Sequence, residues 1–412
     1  MVRRKGYRAR KIKSVFPLDE ELNLTTDKYS HGLRRRVAEE VSALSFDHAL
    51  ENIEKTSAGK IPKRQSEEAM VDVTQDFEAF YSKKETQGSE PTSDILVMSV
   101  DQKGVVMRKE DLRPEARKAA EPRIRLSPGE KPNRKPMATV ASVYSLQARE
   151  RTPEMILCSQ EADRVRASNK RVWASVEEEP GEVIEAMFDE ALRRDPEKKR
   201  PWAIVLDGAE KQLDLVASFV LGYRPDASIV LDLIHVLEYV WRAAYGFYAP
   251  ASKEAEQWVG EQALKILKGE ALRVAREMRQ SATLHRLKSE KRKAVHKCAD
   301  YLEKYEALLD YQSFLRDGLP SASGVIEGAC RHLIKDRMDL TGARWRLKRA
   351  EAVLRIRSLK SSGDFESYWT FHLQQERERN HSSRSVVVPF RKPAQDEKTE
   401  PIAQEEAQRD AA

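Results

Sequence analysis

Four acidic residues lie at places where the sequence predicts that a packed element begins or ends. Asp207 follows the apolar run WAIVL and precedes a glycine, and Asp101 ends the run ILVMSV. Asp232 ends SIVL, and Glu327 lies in the first turn of a helix predicted from SASGVIEG. One such aspartate is typical of a turn cap. Four such acids in one sheet domain favour shared chemistry, although the sequence does not show whether they converge.

Converging carboxylates would have a defined chemistry. Their like charges repel, so they need neutralising partners, and hard divalent cations such as Mg²⁺, with Mn²⁺ as an alternative, prefer carboxylate oxygens. Two such ions about 3.5–4 Å apart activate a water or a 3′-hydroxyl on one side of a phosphodiester and stabilise the leaving oxygen on the other. This mechanism needs no histidine base, which suits a chain of 412 residues with eight scattered histidines.

The composition is that of an ordinary globular chain with room for two or three domains. Apolar residues make up 40% and charged residues 34%, with a net charge of +6. No apolar run approaches the roughly 18 residues of a membrane span, and the basic N-terminus lacks the apolar segment of a signal peptide. Three widely spaced cysteines form no zinc pattern and suit a reducing cytosol. We therefore expect a cytoplasmic protein without membrane association.

The positive charge is concentrated in two segments. Residues 1–13 carry seven Lys and Arg residues without an acid, and residues 331–357 carry nine against three acids. Such clustering favours a polyanionic partner. The alternative is that these charges cover ordinary solvated helix faces.

The chain begins with a basic leader over residues 1–30 and continues as a helical segment over residues 31–84. After a break at Gly59, a new helix opens with Lys63 and Arg64. A helix, a short turn containing glycine and a second helix form the outline of a helix-turn-helix. The pattern predicts a small DNA-binding domain with Lys63 and Arg64 on DNA, although many helical hairpins share it.

The hydrophobic period changes after a polar linker over residues 85–93. A first strand, a tight turn at Lys103–Gly104 and a second strand form a predicted hairpin, and MATVASVYSL is a third strand. A helix over 181–195, a fourth strand WAIVL, another helix and a fifth strand SIVL follow, which indicates a mixed α/β sheet. The predicted parts are the first part of the core over 94–232, an all-helical insertion over 233–320, the C-terminal core helices over 321–375 and a disordered tail over 376–412.

Six stretches between about residues 16 and 376 resemble a known family. They are FPLDEELNL, SVDQKGVVMR, LSPGEKPNRKPMATVASVY, VLDGAE, IVLDLIHVLEYVW, and SGVIEGACRHLIKDRM with TGARW after it. Through them the chain resembles bacterial insertion-sequence transposases of the ISKra group, which are related to the Mutator-like DDE transposases. The motifs Asp207-Gly-Ala and Asp232-x-x-His235 are typical of the Mutator-like branch.

The resemblance implies a ribonuclease-H-like core with a DDE triad, interrupted by the helical insertion. It assigns catalytic and metal-binding roles to Asp101, Asp207 and Glu327. Asp232 competes with Asp207 for the second place. We favour Asp207 because the first and fourth strands are neighbours in the implied fold, whereas the fifth lies further out. Asp232 and His235 then have supporting roles, and the alternative for His235 is a hydrogen-bonded core histidine.

Two further groups are candidates for contact with DNA. Arg331 lies one helical turn after Glu327 and faces roughly the same side, which suits contact with the scissile phosphate. Arg344, Trp345 and Arg346 place two charges around a ring, which suits phosphate contact and stacking on a base. The alternative is that Trp345 anchors its helix to the sheet while both arginines remain in water.

The resemblance implies a DNA transposase that cleaves strands at the terminal inverted repeats of an insertion sequence and joins the freed 3′-hydroxyl to target DNA. It further implies a homo-oligomer on DNA in a bacterial cytoplasm, associated with the nucleoid. Two alternatives remain open. One is a structure-specific nuclease on the same core, and the other is a domesticated or inactive relative that only binds DNA.

Overall fold

The structure is a computed structural model. It describes residues 7–9, 12–15, 17–57, 59–84, 94–112, 117, 135–158, 165–340 and 342–381. The chain divides into two compact units. One unit comprises Met1–Thr26 and Gln374–Ala412, and the other comprises Asp27–Leu373.

The smaller unit contains a short antiparallel strand pair, β1 (Tyr7–Ala9) with β2 (Ile12–Val15), and the helix α1 (Pro17–Glu21). It also contains the last turns of a C-terminal helix that ends at His381. This helix continues past residue 375, where we predicted that a disordered tail begins. Residues 376–381 are rich in good helix formers, and Glu376 pairs with Arg379 one turn later at 2.9 Å. The rest of the predicted tail lies outside the described residues.

The larger unit opens with four helices in the segment 31–84. Serine side chains begin the first two, because the hydroxyls of Ser30 and Ser45 accept the backbone N–H groups of Leu33 and His48. The four helices are α2 (His31–Ala43), α3 (Phe46–Thr56), α4 (Lys63–Asp72) and α5 (Phe77–Lys83).

Five strands and three helices follow, and they alternate in the second half as predicted. In chain order they are β3 (Ile95–Gly104), β4 (Met137–Leu146), α6 (Pro153–Leu157), β5 (Ser168–Ser175), α7 (Pro180–Arg194), β6 (Trp202–Leu206), α8 (Glu210–Tyr223) and β7 (Ser228–Leu231).

The insertion predicted over residues 233–320 is described throughout and contains helices without a strand. Its helices are α9 (Leu233–Phe247), α10 (Lys253–Leu267), α11 (Ala271–Leu284), α12 (Ser289–Lys304) and α13 (Tyr311–Arg316).

The chain returns to the sheet through a broken helix. α14 (Gly324–Ala329) leads into a wider π-helical segment (Cys330–Lys335) and the short α15 (Asp336–Met338). Two long helices follow, α16 (Leu347–Ser362) and α17 (Phe365–His381). None of the described helices combines the length and the apolar character that crossing a membrane requires.

The sheet is open and mixed, with the strand order β5-β4-β3-β6-β7. β4 pairs antiparallel with β3 and with β5, whereas β6 pairs parallel with β3 and with β7. The predicted mixed α/β class is therefore confirmed. The first strand, β3, and the fourth, β6, are neighbours as expected, and β7 lies outside them.

The predicted hairpin at Lys103–Gly104 is wrong. β3 continues through both residues, and Gly104 pairs with Met137 at the start of β4. A side chain at position 104 would place its Cβ 3.1 Å from the Cβ of Lys135, so the glycine permits a close approach and does not mark a turn. The third strand of the sheet is β5, which we did not predict because it opens with the polar residues Ser168–Lys170.

Three apolar clusters hold the larger unit together. On one face of the sheet, Leu96, Met98 and Val100 of β3 pack with α7 and α8. On the other face, Ile95 and Val97 pack with α9 and the insertion helices. This alternation follows from the two-residue period of a strand.

The third cluster joins the segment 31–84 to the C-terminal helices. Apolar side chains of α2 to α5 pack with those of α16 and with the start of α17. They also pack with residues of β4 and β5 at one side of the sheet. The four helices therefore share their core with the rest of the unit. Their role as a DNA-binding domain stays a prediction.

Candidate active site

Three aspartates form a row at the carboxyl edge of the three parallel strands. Ser99 of β3 and Val205 of β6 are the last pair between these two strands, so Asp101 and Asp207 each come two residues later, at the same edge of the sheet. Leu206 of β6 pairs with Leu231 of β7, so the next position places Asp207 beside Asp232. Neighbouring strands lie about 4.8 Å apart. The sheet thus brings together residues that are distant in the sequence.

Asp101 faces the segment that carries Glu327. Its Oδ2 accepts a hydrogen bond from the thiol of Cys330 at 3.0 Å, and its Oδ1 accepts one from the backbone N–H of Gln102 at 2.6 Å. Burial raises the pKa of the Cys330 thiol, and the charges of Asp101 and Asp207 raise it further. The thiol therefore stays protonated near neutral pH and donates to the carboxylate. Both aspartates act on the same sulfur, which places their charges in one neighbourhood.

Asp207 begins a tight loop at the end of β6. Its Oδ1 accepts the backbone N–H of Ala209 at 2.9 Å, which closes a turn of the kind that aspartate side chains favour. Gly208 has a φ of +86°, in the left-handed region that glycine adopts at little cost. The sequence Asp-Gly-Ala thus fixes the direction in which the strand leaves the sheet. The Asp207 side chain remains half-buried at the edge.

The end of α12 holds this loop from the insertion side. The hydroxyl of Tyr305 donates to the carbonyl of Gly208 at 3.1 Å, and that of Tyr301 lies 3.4 Å from the carbonyl of Asp207. Lys304 pairs with Glu210 at 2.8 Å at the start of α8. We call Tyr301, Lys304 and Tyr305 the α12 clamp. Through it the insertion positions the main chain of the second candidate acid.

Asp232 is fully buried and acts as a structural anchor. Its Oδ1 caps α9 by accepting the N–H of Ile234 at 2.8 Å. Its Oδ2 accepts the backbone N–H of Ser323 at 2.9 Å and a short hydrogen bond from the Ser323 hydroxyl. Because Ser323 immediately precedes α14, Asp232 fixes the start of the helix that carries Glu327. The carboxylate is fully buried with both oxygens engaged, and this positioning of α14 fits a supporting role.

Glu327 is exposed in the first turn of α14, three residues before Cys330. Its side chain borders a cavity of about 700 Å³ lined also by Tyr144, Arg149 and Ile234. In the described part of the chain, no three His, Cys, Asp or Glu side chains lie close enough together to hold a metal ion. Asp101 and Asp207 both act on Cys330, whereas the Glu327 side chain, three residues earlier in the chain, is exposed.

The other predicted site residues have varied surroundings. His235 is half-buried on α9. Arg331 is 73% exposed and pairs with Asp336 at 3.7 Å. Lys63 pairs with Asp47 at 2.7 Å, and Arg64 pairs with Glu68 at 3.0 Å. Arg344 and Arg346 are exposed. None of these residues contacts the row of aspartates through a hydrogen bond or ion pair among the described residues.

Trp345 does not present its ring for base stacking, which corrects that part of our prediction. The side chain is 6% exposed and packs against Phe46, with the Arg337 guanidinium 4.8 Å from the ring centroid. Its indole N–H donates to the carbonyl of Met338 at 3.0 Å. A ring buried in this way anchors its segment, which is the alternative that the sequence left open.

Sequence reasoning missed the residues that orient the acids. Cys330 follows Glu327 by three residues, and this spacing places both on neighbouring sides of one helix, so it carried a usable signal. Tyr301 and Tyr305 are four residues apart on α12 and share a face in the same way. Nothing in the sequence connects that face to the loop at Asp207.

Comparison with known proteins assigns no family to the chain. No protein-family model matches it, and no curated protein matches it significantly.

Proposed function

We propose that the protein is a DDE-type DNA transposase with a ribonuclease-H-like core. In this proposal it cleaves DNA strands at the terminal inverted repeats of an insertion sequence and transfers the freed 3′-hydroxyl to target DNA. The observation that supports the proposal is that Asp101 and Asp207 each come two residues after Ser99 and Val205, the last pair between two neighbouring parallel strands. The strand order, with β3 next to β6 and β7 outside, agrees with the arrangement that the resemblance implies.

The residues at this edge suit hard divalent cations, Mg²⁺ or Mn²⁺. Asp101 and Asp207 provide half-buried carboxylates that solvent can reach, whereas the Asp232 carboxylate is fully buried between Ser323 and Ile234. Asp101, Asp207 and Glu327 would hold the ions. The chemistry supplied there is activation of a water or a 3′-hydroxyl and stabilisation of the leaving oxygen.

The protein's own residues orient this site. The Cys330 thiol donates to Asp101 and limits the rotation of its carboxylate. The α12 clamp holds the main chain at Asp207 and Gly208, and Asp232 holds the start of the Glu327 helix. Glu327 must turn toward the two aspartates, whose charges repel it until cations neutralise them.

The proposal includes a homo-oligomer on DNA, because the joining of two DNA ends requires two active sites held together. It also includes a bacterial cytoplasmic location. Both the oligomer and the location rest on the family resemblance. The two alternatives differ in their products. A nuclease on the same core cleaves without joining, and a protein that only binds DNA does neither.

The test is cleavage and joining of a labelled duplex that contains the element's end, identified from the DNA flanking the gene. With Mg²⁺ or Mn²⁺ the parent protein should nick the end and join a pre-cut 3′-hydroxyl to a second duplex. Asp207→Asn and Asp101→Asn should lower both rates about 10²–10³-fold, the loss typical when one charge-stabilising group is removed. Asp214→Asn is the matched control, since Asp214 is exposed on α8 near the same loop.

Each result separates the candidates. Cleavage without joining would replace the transposase with the nuclease. Binding without either reaction would favour the DNA-binding relative. Cleavage by Asp207→Asn at the parent rate would contradict the assignment of the second acid.

A further inference from the structure

A groove of about 790 Å³ lies beside Trp345, outside the row of aspartates. Seven cationic and three acidic side chains line it. We call it the arginine groove. Its cationic residues are Lys63, Arg108, Lys109, Arg337, Arg344, Arg346 and Arg349, and its acids are Asp47, Glu67 and Glu110.

Buried contacts fix the wall that carries Arg344 and Arg346. Trp345 forms a parallel bridge with Met107, with its N–H donating to the carbonyl of Val106 at 2.9 Å and its carbonyl accepting the N–H of Arg108 at 2.8 Å. In such extended backbone, alternate side chains point to opposite sides. The buried Trp345 therefore turns both neighbouring arginines outward, toward the groove.

Two of the three acids in the groove already form ion pairs with groove cations. Asp47 pairs with Lys63 at 2.7 Å, and Glu67 pairs with Arg349 at 2.6 Å. Four other exposed cations of the groove have no ion pair with any described residue. Glu110 is the remaining acid of the groove. Those unpaired cations are Arg108, Lys109, Arg344 and Arg346.

Arg337 adds a buried charge to the wall of the groove. It is 2% exposed, its Nε donates to the carbonyl of Val41 at 2.9 Å, and its Nη2 has no hydrogen-bond partner among the described residues. Burial, and then the charge of Arg357, lowers the Arg337 pKa to about 10. A buried cation without a compensating anion is unfavourable, so a ligand with negative charge would relieve this cost.

We propose that the arginine groove binds the phosphodiester backbone of duplex DNA and holds it to the protein away from the carboxylates. The choice of DNA as the polyanion rests on the proposed function. Five of the seven cations are arginines, whose planar guanidinium matches phosphate oxygens in pairs. Because the Trp345 ring is buried, the groove reads no base by stacking. Phosphate contacts carry no sequence information directly, so we expect binding there to be independent of sequence.

The experiment measures duplex binding by the full chain as a function of salt. A fluorescent duplex of mixed sequence is titrated without divalent cation, so that no cleavage occurs. Arg344→Gln with Arg346→Gln should weaken binding about tenfold for each arginine, the loss expected for a charged hydrogen bond. The slope of log affinity against log salt should fall in magnitude by about 2, close to 0.9 for each lost phosphate contact.

The matched control removes the same charge elsewhere. Arg276→Gln with Arg292→Gln changes two exposed arginines of α11 and α12 and should leave affinity and slope close to the parent values. Equal affinity and slope for the groove variant and the parent would overturn the proposal, and so would an equal loss in the control. Both double variants change exposed side chains, and a circular dichroism melt checks that each remains folded.

The outcome is independent of cleavage. If the protein binds DNA through the groove but never cuts it, the groove inference stands and the proposed transposase function fails. If the protein cuts DNA while the groove variant binds normally, the proposed function stands and the groove inference fails.

Discussion

Gly208 offers the sharpest test of how the insertion positions Asp207. Its φ of +86° is unfavourable for any residue with a Cβ. A Cβ built there would lie 2.8 Å from the hydroxyl oxygen of Tyr301 and 3.1 Å from the Cδ1 of Leu231. Gly208→Ala must therefore move the Tyr301 hydroxyl, the Asp207 loop or both.

The expected cost has two parts. The left-handed backbone costs about 1–2 kcal/mol for alanine, and overpacking in a well-packed region costs about 1–3 kcal/mol. The total is about 2–5 kcal/mol. Tyr301→Phe removes the atom at 2.8 Å and loses only the long contact to Asp207, about 0.5 kcal/mol. The loss of unfolding free energy in the double variant should therefore be smaller than the sum of the two single losses by about 1 kcal/mol or more.

The assay is urea unfolding of the parent, both single variants and the double variant, with cleavage rates measured well below the unfolding transition. Gly222→Ala on α8 is the matched control. Nothing lies within 4 Å of its added Cβ, so it should be neutral or stabilise the helix. A Gly208→Ala variant within about 0.5 kcal/mol of the parent would refute the reasoning, and so would strict additivity with Tyr301→Phe.

Three other predictions concern Asp232, Cys330 and Glu178. Asp232→Asn should destabilise the protein by about 1–3 kcal/mol, because the amide has one oxygen and cannot accept from both Ser323 and the Ile234 N–H, and hydrogen exchange should show faster opening of α14. Cys330→Ser should keep cleavage near the parent rate, since a hydroxyl also donates to Asp101, whereas Cys330→Ala should lower the cleavage rate. Equal cleavage rates for Cys330→Ala and the parent would show that the thiol has no role in orienting Asp101. Burial, then the charges of Glu78 and Glu351, raises the pKa of Glu178 to about 7. Its folded state thus holds a proton that the unfolded state releases, so this contribution to stability is present below pH about 4.5 and lost as the pH rises through about 7. Glu178→Gln should accordingly stabilise the protein near pH 8 but not near pH 4, as measured by thermal unfolding at both values, and an equal effect at both would contradict the shift.

The sequence pointed to these acids because the apolar run before each of them is a local pattern, although β3 continues past Asp101 to Gly104. Asp101 and Asp207 each follow an apolar run, and the runs became β3 and β6. The resemblance implies that these two strands are neighbours, and β3 pairs with β6 in the sheet. The role of Asp232 was foreseen as supporting, but its partner Ser323 lies beyond the whole insertion, at a distance that no local pattern spans.

Other features depended on tertiary contacts that the sequence does not encode locally. Gly104 resembles a turn glycine, yet it serves the close approach of Lys135. β5 opens with exposed polar residues and becomes buried only in its second half, so its hydrophobic run is short. Trp345 between two arginines looks like a stacking surface, and only its packing against Phe46 and Arg337 identifies it as an anchor.

The central claim is that Asp101, Asp207 and Glu327 surround shared divalent ions. It is tested most directly by replacing Mg²⁺ with Fe²⁺ and ascorbate, which generate radicals that cut the nearest backbone, and by mapping the fragments with mass spectrometry. Cuts near all three residues, reduced together in Asp207→Asn and competed by Mg²⁺, are the predicted result. Cuts near only one of the three, or a pattern that Asp207→Asn leaves unchanged, would contradict the account.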